Sequence, residues 1–149
     1  MTRTADTPLT ETAARLRMAI VRTARRLRQE AAGEGDELTP TAGSALATVE
    51  RHGPLTPSEL AEIERVKRPT ATRVLRVLEE AGLLERAPDP SDGRSSLVSA
   101  NAAGRERLRR LRGRKNAYLA RRMRDLPAED LATLDRAATI LEGILEERP

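Results

Sequence analysis

The chain has 149 residues and a formal net charge of +4, from 27 basic and 23 acidic side chains, which suits one domain, two at most. With no Cys and one His it excludes disulfides, thiolate or His-based metal sites, a Cys nucleophile and thiol redox sensing. Tyr118 is its one aromatic residue, so the core is aliphatic, and an aromatic stacking platform for single-stranded nucleic acid is excluded.

The first predicted element is a helix over Leu9–Glu30, where Leu16, Ile20, Ala24 and Leu27 recur at helical spacing. The residues before Leu9 are polar and read as frayed. The Gly and Asp cluster at 33–36 reads as a loop. Thr39-Pro40 reads as an N-cap followed by Pro at the first helical position, and the helix that follows turns Ala42, Leu46 and Val49 inward. It stops near His52-Gly53-Pro54. Thr56-Pro57-Ser58-Glu59 is a capping box, with Leu55 and Leu60 spaced as a hydrophobic staple, and predicts a short helix from Pro57 to about Arg65.

A second helix follows at once. Pro69 fits its first turn, Ala71, Val74, Leu75 and Leu78 form its apolar face, and Gly82 is its C′ glycine. Pro69, Arg73, Arg76 and Glu80 lie opposite that face, flanked by Thr70 and Val77 on one side and Thr72 on the other. Between Lys67 and Arg76 there are four bases and no acid: Lys67, Arg68, Arg73 and Arg76. Leu83–Ala87 and Ser96–Ser99 are short strands about a polar tip, Pro88 to Ser95, dense in turn residues. Asn101 caps a long helix reaching Leu126, and Pro127 opens a last one with Leu131, Leu134, Ala138, Leu141 and Leu145 on one face. Such a face can bury against a helix of a second subunit.

The expected fold is therefore mainly α with a small β-hairpin wing: a winged helix-turn-helix over 39–101, flanked by helices at 9–32 and 102–147, all in a single domain, 1–149. The major groove is ~12 Å wide and admits one helix, whose N-terminal residues meet base edges. Arg68, Thr70, Thr72 and Arg73 sit at that end, where the helix dipole also favours phosphate. Arg94, on the hairpin tip, can reach the neighbouring minor groove, whose negative potential draws guanidinium. The Arg105–Lys115 run, seven bases and one acid, reads as a solvated or phosphate-adjacent face. Glu59, Glu62 and Glu64 read as the outside of a short helix, and His52 as a partner of a helix C-terminus. Tyr118 reads as interface or core.

Arg68-Pro69-Thr70-Ala71-Thr72-Arg73 with Leu78, Gly82, Leu83 and Arg86 resembles the recognition-helix pattern of the MarR (multiple antibiotic resistance regulator) family. Asp92-Gly93-Arg94, then Val98, Asn101 and Gly104, resembles that family's wing motif. The resemblance spans about Leu9 to Leu145 and implies that the flanking helices at 9–32 and 102–147 are dimerisation helices. It implies a homodimeric, ligand-responsive transcription regulator, usually a repressor, that binds double-stranded DNA and answers to a small organic effector. Lys67, Arg68, Pro69, Thr70, Thr72, Arg73 and Arg76 would face the major groove. Arg94 would enter the minor groove, and Asp92 would orient the wing arginines. Two positions depart from the pattern. Lys67 stands where the family commonly has a capping Ser, and Ala100 replaces the usual Leu at the end of the wing. The alternative is a winged-helix architectural or protein-interaction module without sequence-specific readout. No convergent acid, base and nucleophile set is present, so an enzyme is not expected, nor is a cofactor. No apolar run approaches the ~18 residues of a membrane span and no signal peptide opens the chain, so the expected setting is the cytoplasm, without a membrane partner.

Overall fold

The computed structural model describes residues 6–32 and 38–146, so the loop expected at 33–36 lies outside the described residues. The chain divides into two compact units, Met1–Lys115 and Asn116–Pro149. In order, the elements are α1 (Asp6–Ala31), α2 (Pro40–His52), α3 (Pro57–Ile63), α4 (Arg68–Glu80), β1 (Leu84–Pro88), β2 (Ser96–Ala100), α5 (Ala102–Met123) and α6 (Ala128–Leu145).

Local chemistry sets most of these boundaries. Thr39 Oγ1 accepts from the amide of Ala42 at 3.2 Å and starts α2. The Thr56 hydroxyl accepts from the amide of Glu59 at 3.2 Å, and Glu59 returns a carboxylate oxygen to the Thr56 amide at 2.6 Å. α4 ends in a full Schellman turn. Leu83 N–H reaches Leu78 O at 3.0 Å, Gly82 N–H reaches Glu79 O at 2.9 Å, and Gly82 takes φ +71°.

Several boundaries differ from expectation; α3 ends at Ile63 rather than about Arg65 and β2 at Ala100 rather than Ser99. α1 begins at Asp6 rather than Leu9. Pro8 falls in its first turn, where a missing N–H costs nothing. The hairpin is shifted by one residue on its first strand, because Leu83 is consumed by the Schellman turn before pairing begins. α5 stops at Met123 rather than Leu126. Continuing the helix would press the ring of Pro127 against the Met123 carbonyl.

The core of the first unit lies among α2, α3, α4, the hairpin and the start of α5. Leu46, Leu60, Leu75, Leu78, Val49 and Val98 are its largest fully buried side chains. β1 and β2 pair antiparallel, with Leu84 opposite Ala100 and Arg86 opposite Val98. A third short segment joins them: Leu55 and Val98 exchange both backbone hydrogen bonds, at 3.1 and 2.8 Å, so the wing is stitched to the residue preceding α3. Ala100 is buried in the core at the end of β2.

α1 is exposed along most of its length, with Leu16, Met18, Ile20 and Val21 open to solvent. In the second unit α6 has no buried residue, and Leu134, Ile140 and Ile144 are exposed on it. Tyr118 is half-buried, with the Arg121 guanidinium 5.7 Å from its ring centre. No helix among the described residues is long and apolar enough to cross a membrane.

Candidate nucleic-acid interface

α3 and α4 meet through a tight connection. Glu62 and Ala61 carbonyls accept from Arg65 at 3.2 Å and Val66 at 3.0 Å, a second Schellman pattern, with Arg65 at φ 52° where glycine is the usual occupant. The carboxylate of Glu64 braces this corner against α2. It accepts from Ser44 Oγ at 2.7 Å and from the Thr48 hydroxyl. Glu59 is spent on its capping box, so two of the three carboxylates that read as the outside of a short helix also serve as structural ties. No group of acidic and His side chains among the described residues is arranged to hold a metal.

α4 is anchored by Ala71, Leu75 and Leu78 and turns its other side outward. Lys67, Arg68, Pro69, Thr72, Arg73 and Arg76 are all exposed, and Thr70 is half-buried. Lys67 occupies the N-cap and offers no side-chain cap; its carbonyl accepts from Thr70 at 2.9 Å and Ala71 at 3.1 Å. Arg76 lies 3.9 Å from Glu80, one turn on. Among the described residues, the side chains of Lys67, Arg68 and Arg73 have no hydrogen-bonded or ionic partner. Among the described residues these are three unneutralised cations on one outward face, two of them, Lys67 and Arg68, at the positive end of the helix dipole, and together they make a strong anion-attracting face.

The wing tip is ordered by two carboxylates. Asp89 Oδ1 accepts from the Ser91 amide at 2.9 Å and the Ser91 hydroxyl at 2.7 Å, and these bonds hold the Asp89 carboxyl below its ordinary pKa. Asp92 Oδ1 accepts from the Arg94 amide at 3.0 Å. Asp92 thus ties the tip backbone at Arg94, one of the wing arginines that the resemblance has it orient. The Arg94 side chain is exposed and, among the described residues, unpartnered.

At the base of the wing Arg86 forks onto α4. Its Nε and Nη2 donate to the two oxygens of Glu79 at 2.6 and 3.1 Å, and its Nη1 donates to Ser96 Oγ at 2.5 Å. The hydrogen bonds to Glu79 push the guanidinium pKa up against the opposing effect of burial. Asn101 fastens the other side. Its Nδ2 donates to Gly82 O and its Oδ1 accepts from the Gly104 amide, both at 2.9 Å.

The Arg105–Lys115 run is a mostly exposed face, as expected, and several of its members also pair within the chain. Arg105 donates to Ala100 O at 2.6 Å and Arg114 to Ala31 O at 3.0 Å. Arg109 and Arg110 share Glu106, and Arg112 lies 3.3 Å from Glu50. Within the first unit, α1, α2 and α5 also enclose an open cavity of about 700 Å³. Leu27, Ala47 and Leu111 supply apolar wall, and Arg28, Arg112 and Lys115 supply positive charge.

Two tandem helices, the second free to present its cationic face, followed by a hairpin, define a winged helix-turn-helix protein. The MarR family sequence profile matches residues 38–96. An uncharacterized HTH-type transcriptional regulator of Mycobacterium bovis is 35% identical over 134 residues, covering 90% of this chain and 92% of that one. The chain belongs to the MarR family. A transcriptional regulator of Pseudomonas aeruginosa superposes with a TM-score of 0.83 at 30% identity, over 98% of this chain and 100% of that one. A mutant of MepR from Staphylococcus aureus, solved bound to an oligodeoxyribonucleotide, shares the fold with a TM-score of 0.67 at 20% identity, over 91% and 98% of the two chains.

Sequence reasoning found the cations and their helix but not their surroundings. It did not find Glu79 as the partner of Arg86, Glu64 as the brace on α2, or Asn101 as a tie to Gly82. Each of these contacts joins residues whose proximity depends on the tertiary fold, and no local periodicity encodes it.

Proposed function

We propose that this MarR-family regulator is a repressor that binds a pseudo-palindromic DNA duplex as a homodimer and releases it when a small organic effector binds. The observation that carries this reading is the outward face of α4, where Lys67, Arg68 and Arg73 stand exposed beside Thr72 and, among the described residues, unneutralised. Arg73 and its neighbours, from Lys67 to Arg76, take the major groove, and Arg94 takes the adjacent minor groove. Asp92 holds the backbone that presents Arg94. The oligodeoxyribonucleotide bound to MepR supports a DNA ligand for this fold.

The homodimer reading is supported by apolar surface left open on α1 and on α6, where Ile144 is 67% exposed. The dimerisation helices are assigned to 9–32 and 102–147 and the DNA-binding region to 39–101 of one domain, 1–149. Symmetry then places half-site centres about one turn, ~10–10.5 bp, apart. The cavity among α1, α2 and α5 is of the size that small ligands occupy, and its mixed apolar and cationic wall suits an organic molecule with an acidic group. Such an effector shifts the protein only if it binds the form whose recognition helices are misplaced for DNA better than the DNA-bound form. The protein works in the cytoplasm as a regulator and performs no catalysis.

The test is fluorescence anisotropy on the duplex upstream of the protein's own gene, against a random duplex, over a salt series. A sequence-preferring complex is expected, its affinity falling with salt at a log–log slope of about −0.9 per phosphate neutralised. Equal affinity for both duplexes would favour the architectural or protein-interaction module instead.

A further inference from the structure

We infer that Glu79 and Arg86 are a positioning pair that aims the wing, so that Arg94 contributes to DNA binding only while their fork is intact; this rests on the DNA-binding reading above. One guanidinium engages three elements at once. It takes both oxygens of Glu79 on α4, sits mid-strand on β1, and donates to Ser96 on β2. The connection it spans contains Gly82 at φ +71°, the residue of that link with the widest backbone freedom. β1 and β2 are each five residues long. That makes the hairpin a lever of roughly 17 Å at ~3.4 Å per residue. A tilt of ~10° at its base displaces the tip by ~3 Å, a full hydrogen-bond length. Among the described residues the guanidinium of Arg94 has no partner of its own to correct such a displacement. The rigid planar fork suits the task, since a lysine could not hold two oxygens of Glu79 and a hydroxyl on the second strand in one plane.

The two residues themselves need not touch DNA, and the sign of one substitution separates positioning from charge. Glu79→Gln removes a negative charge near a polyanion, so electrostatics alone makes the variant bind more tightly. Positioning makes it bind more weakly.

The experiment measures anisotropy binding of the full chain to a duplex selected in vitro with the wild type, for Glu79→Gln, Arg94→Ala and the double variant, with thermal melts alongside. Arg94→Ala is expected to weaken binding ~10-fold, Glu79→Gln by ~5–10-fold, and the double variant by no more than ~2-fold beyond the weaker single, the non-additivity of coupled residues. Arg86→Lys, which keeps the charge and loses the fork, is expected to match Glu79→Gln, and it serves in its place if that variant melts early. Wild-type or tighter binding by Glu79→Gln overturns the inference. So does an undiminished loss from Arg94→Ala in the Glu79→Gln background. If Arg94→Ala alone changes nothing, the wing's part in DNA binding is overturned, and the inference with it.

Discussion

A methyl group on Gly104 would stand 2.2 Å from the carbonyl oxygen of Leu83 and 3.2 Å from its carbon. The first turn of α5 therefore presses directly on the residue that links α4 to the wing. Asn101 reinforces the contact by donating its backbone N–H to the same oxygen at 3.2 Å. Gly104→Ala must push backbone against backbone, and the expected cost is at least about 2 kcal/mol, in the range of overpacked cores. Urea denaturation of the variant should show a lowered midpoint with an unchanged slope.

Arg65 offers the opposite case. It sits at φ 52° in the connection between α3 and α4, where a side chain is strained and glycine is not. Arg65→Gly is expected to stabilise the fold by about 0.5–1 kcal/mol, after the entropic penalty of glycine in the unfolded chain. A thermal melt checks it; a lower midpoint would mean that the Arg65 side chain contributes more than its backbone costs.

Lys67 trades a cap for a charge. Lys67→Ser restores a side-chain acceptor at the start of α4 and should raise stability by about 0.5–2 kcal/mol. The same change removes a cation from the end of α4 that is proposed to face DNA. Affinity for duplex is expected to fall, with a log–log salt slope shallower by about 0.9 if Lys67 meets a phosphate. Melting and a salt series on one preparation report both effects.

Much of this was legible in the sequence because it is local. Thr39, Thr56-Glu59, Gly82 and Asn101 mark helix ends through contacts within a few residues, and each marks the end it was expected to mark. The apolar face of α4 follows from spacing alone. What escaped was long-range. The pairing of Leu55 with Val98 spans most of the winged region, and the bond from Arg114 to Ala31 joins distant helices. The basic run at Arg105–Lys115 illustrates the limit: its charge density suggests a solvated or phosphate-adjacent face, and the face is exposed, but the acceptors within the chain that several of its members meet were not legible. The stripe on α1 was legible as a helix signal, while Leu16 and Ile20 remain exposed in the single chain.

That difference separates two arginines experimentally. Arg73 is unpartnered among the described residues, and Arg73→Ala is expected to cost about 1–3 kcal/mol on the preferred duplex and to relax sequence preference. Arg110 shares Glu106 at 3.6 Å, so Arg110→Ala should weaken binding uniformly across sequences or leave it unchanged. Competition between preferred and random duplex distinguishes them; equal losses on both from Arg73→Ala would show that Arg73 meets only phosphate.

The wing tip should answer to acid. The Asp89 carboxyl titrates below its ordinary value of 3.8 because Ser91 donates to its charged form. A depressed folded-state pKa means that its contribution is complete above the ordinary value and is lost as pH falls through the depressed one. A carboxyl-carbon NMR titration is expected to place the Asp89 midpoint below 3.8, and Ser91→Ala to return it upward. A midpoint at or above the ordinary value would contradict the turn as described.

The most direct test is sedimentation equilibrium of the full chain with a duplex selected in vitro. The account requires two chains on each duplex, and a dimer in the absence of DNA, held by the apolar faces of α1 and α6. A monomer that stays a monomer, or a single chain on each duplex, would contradict it.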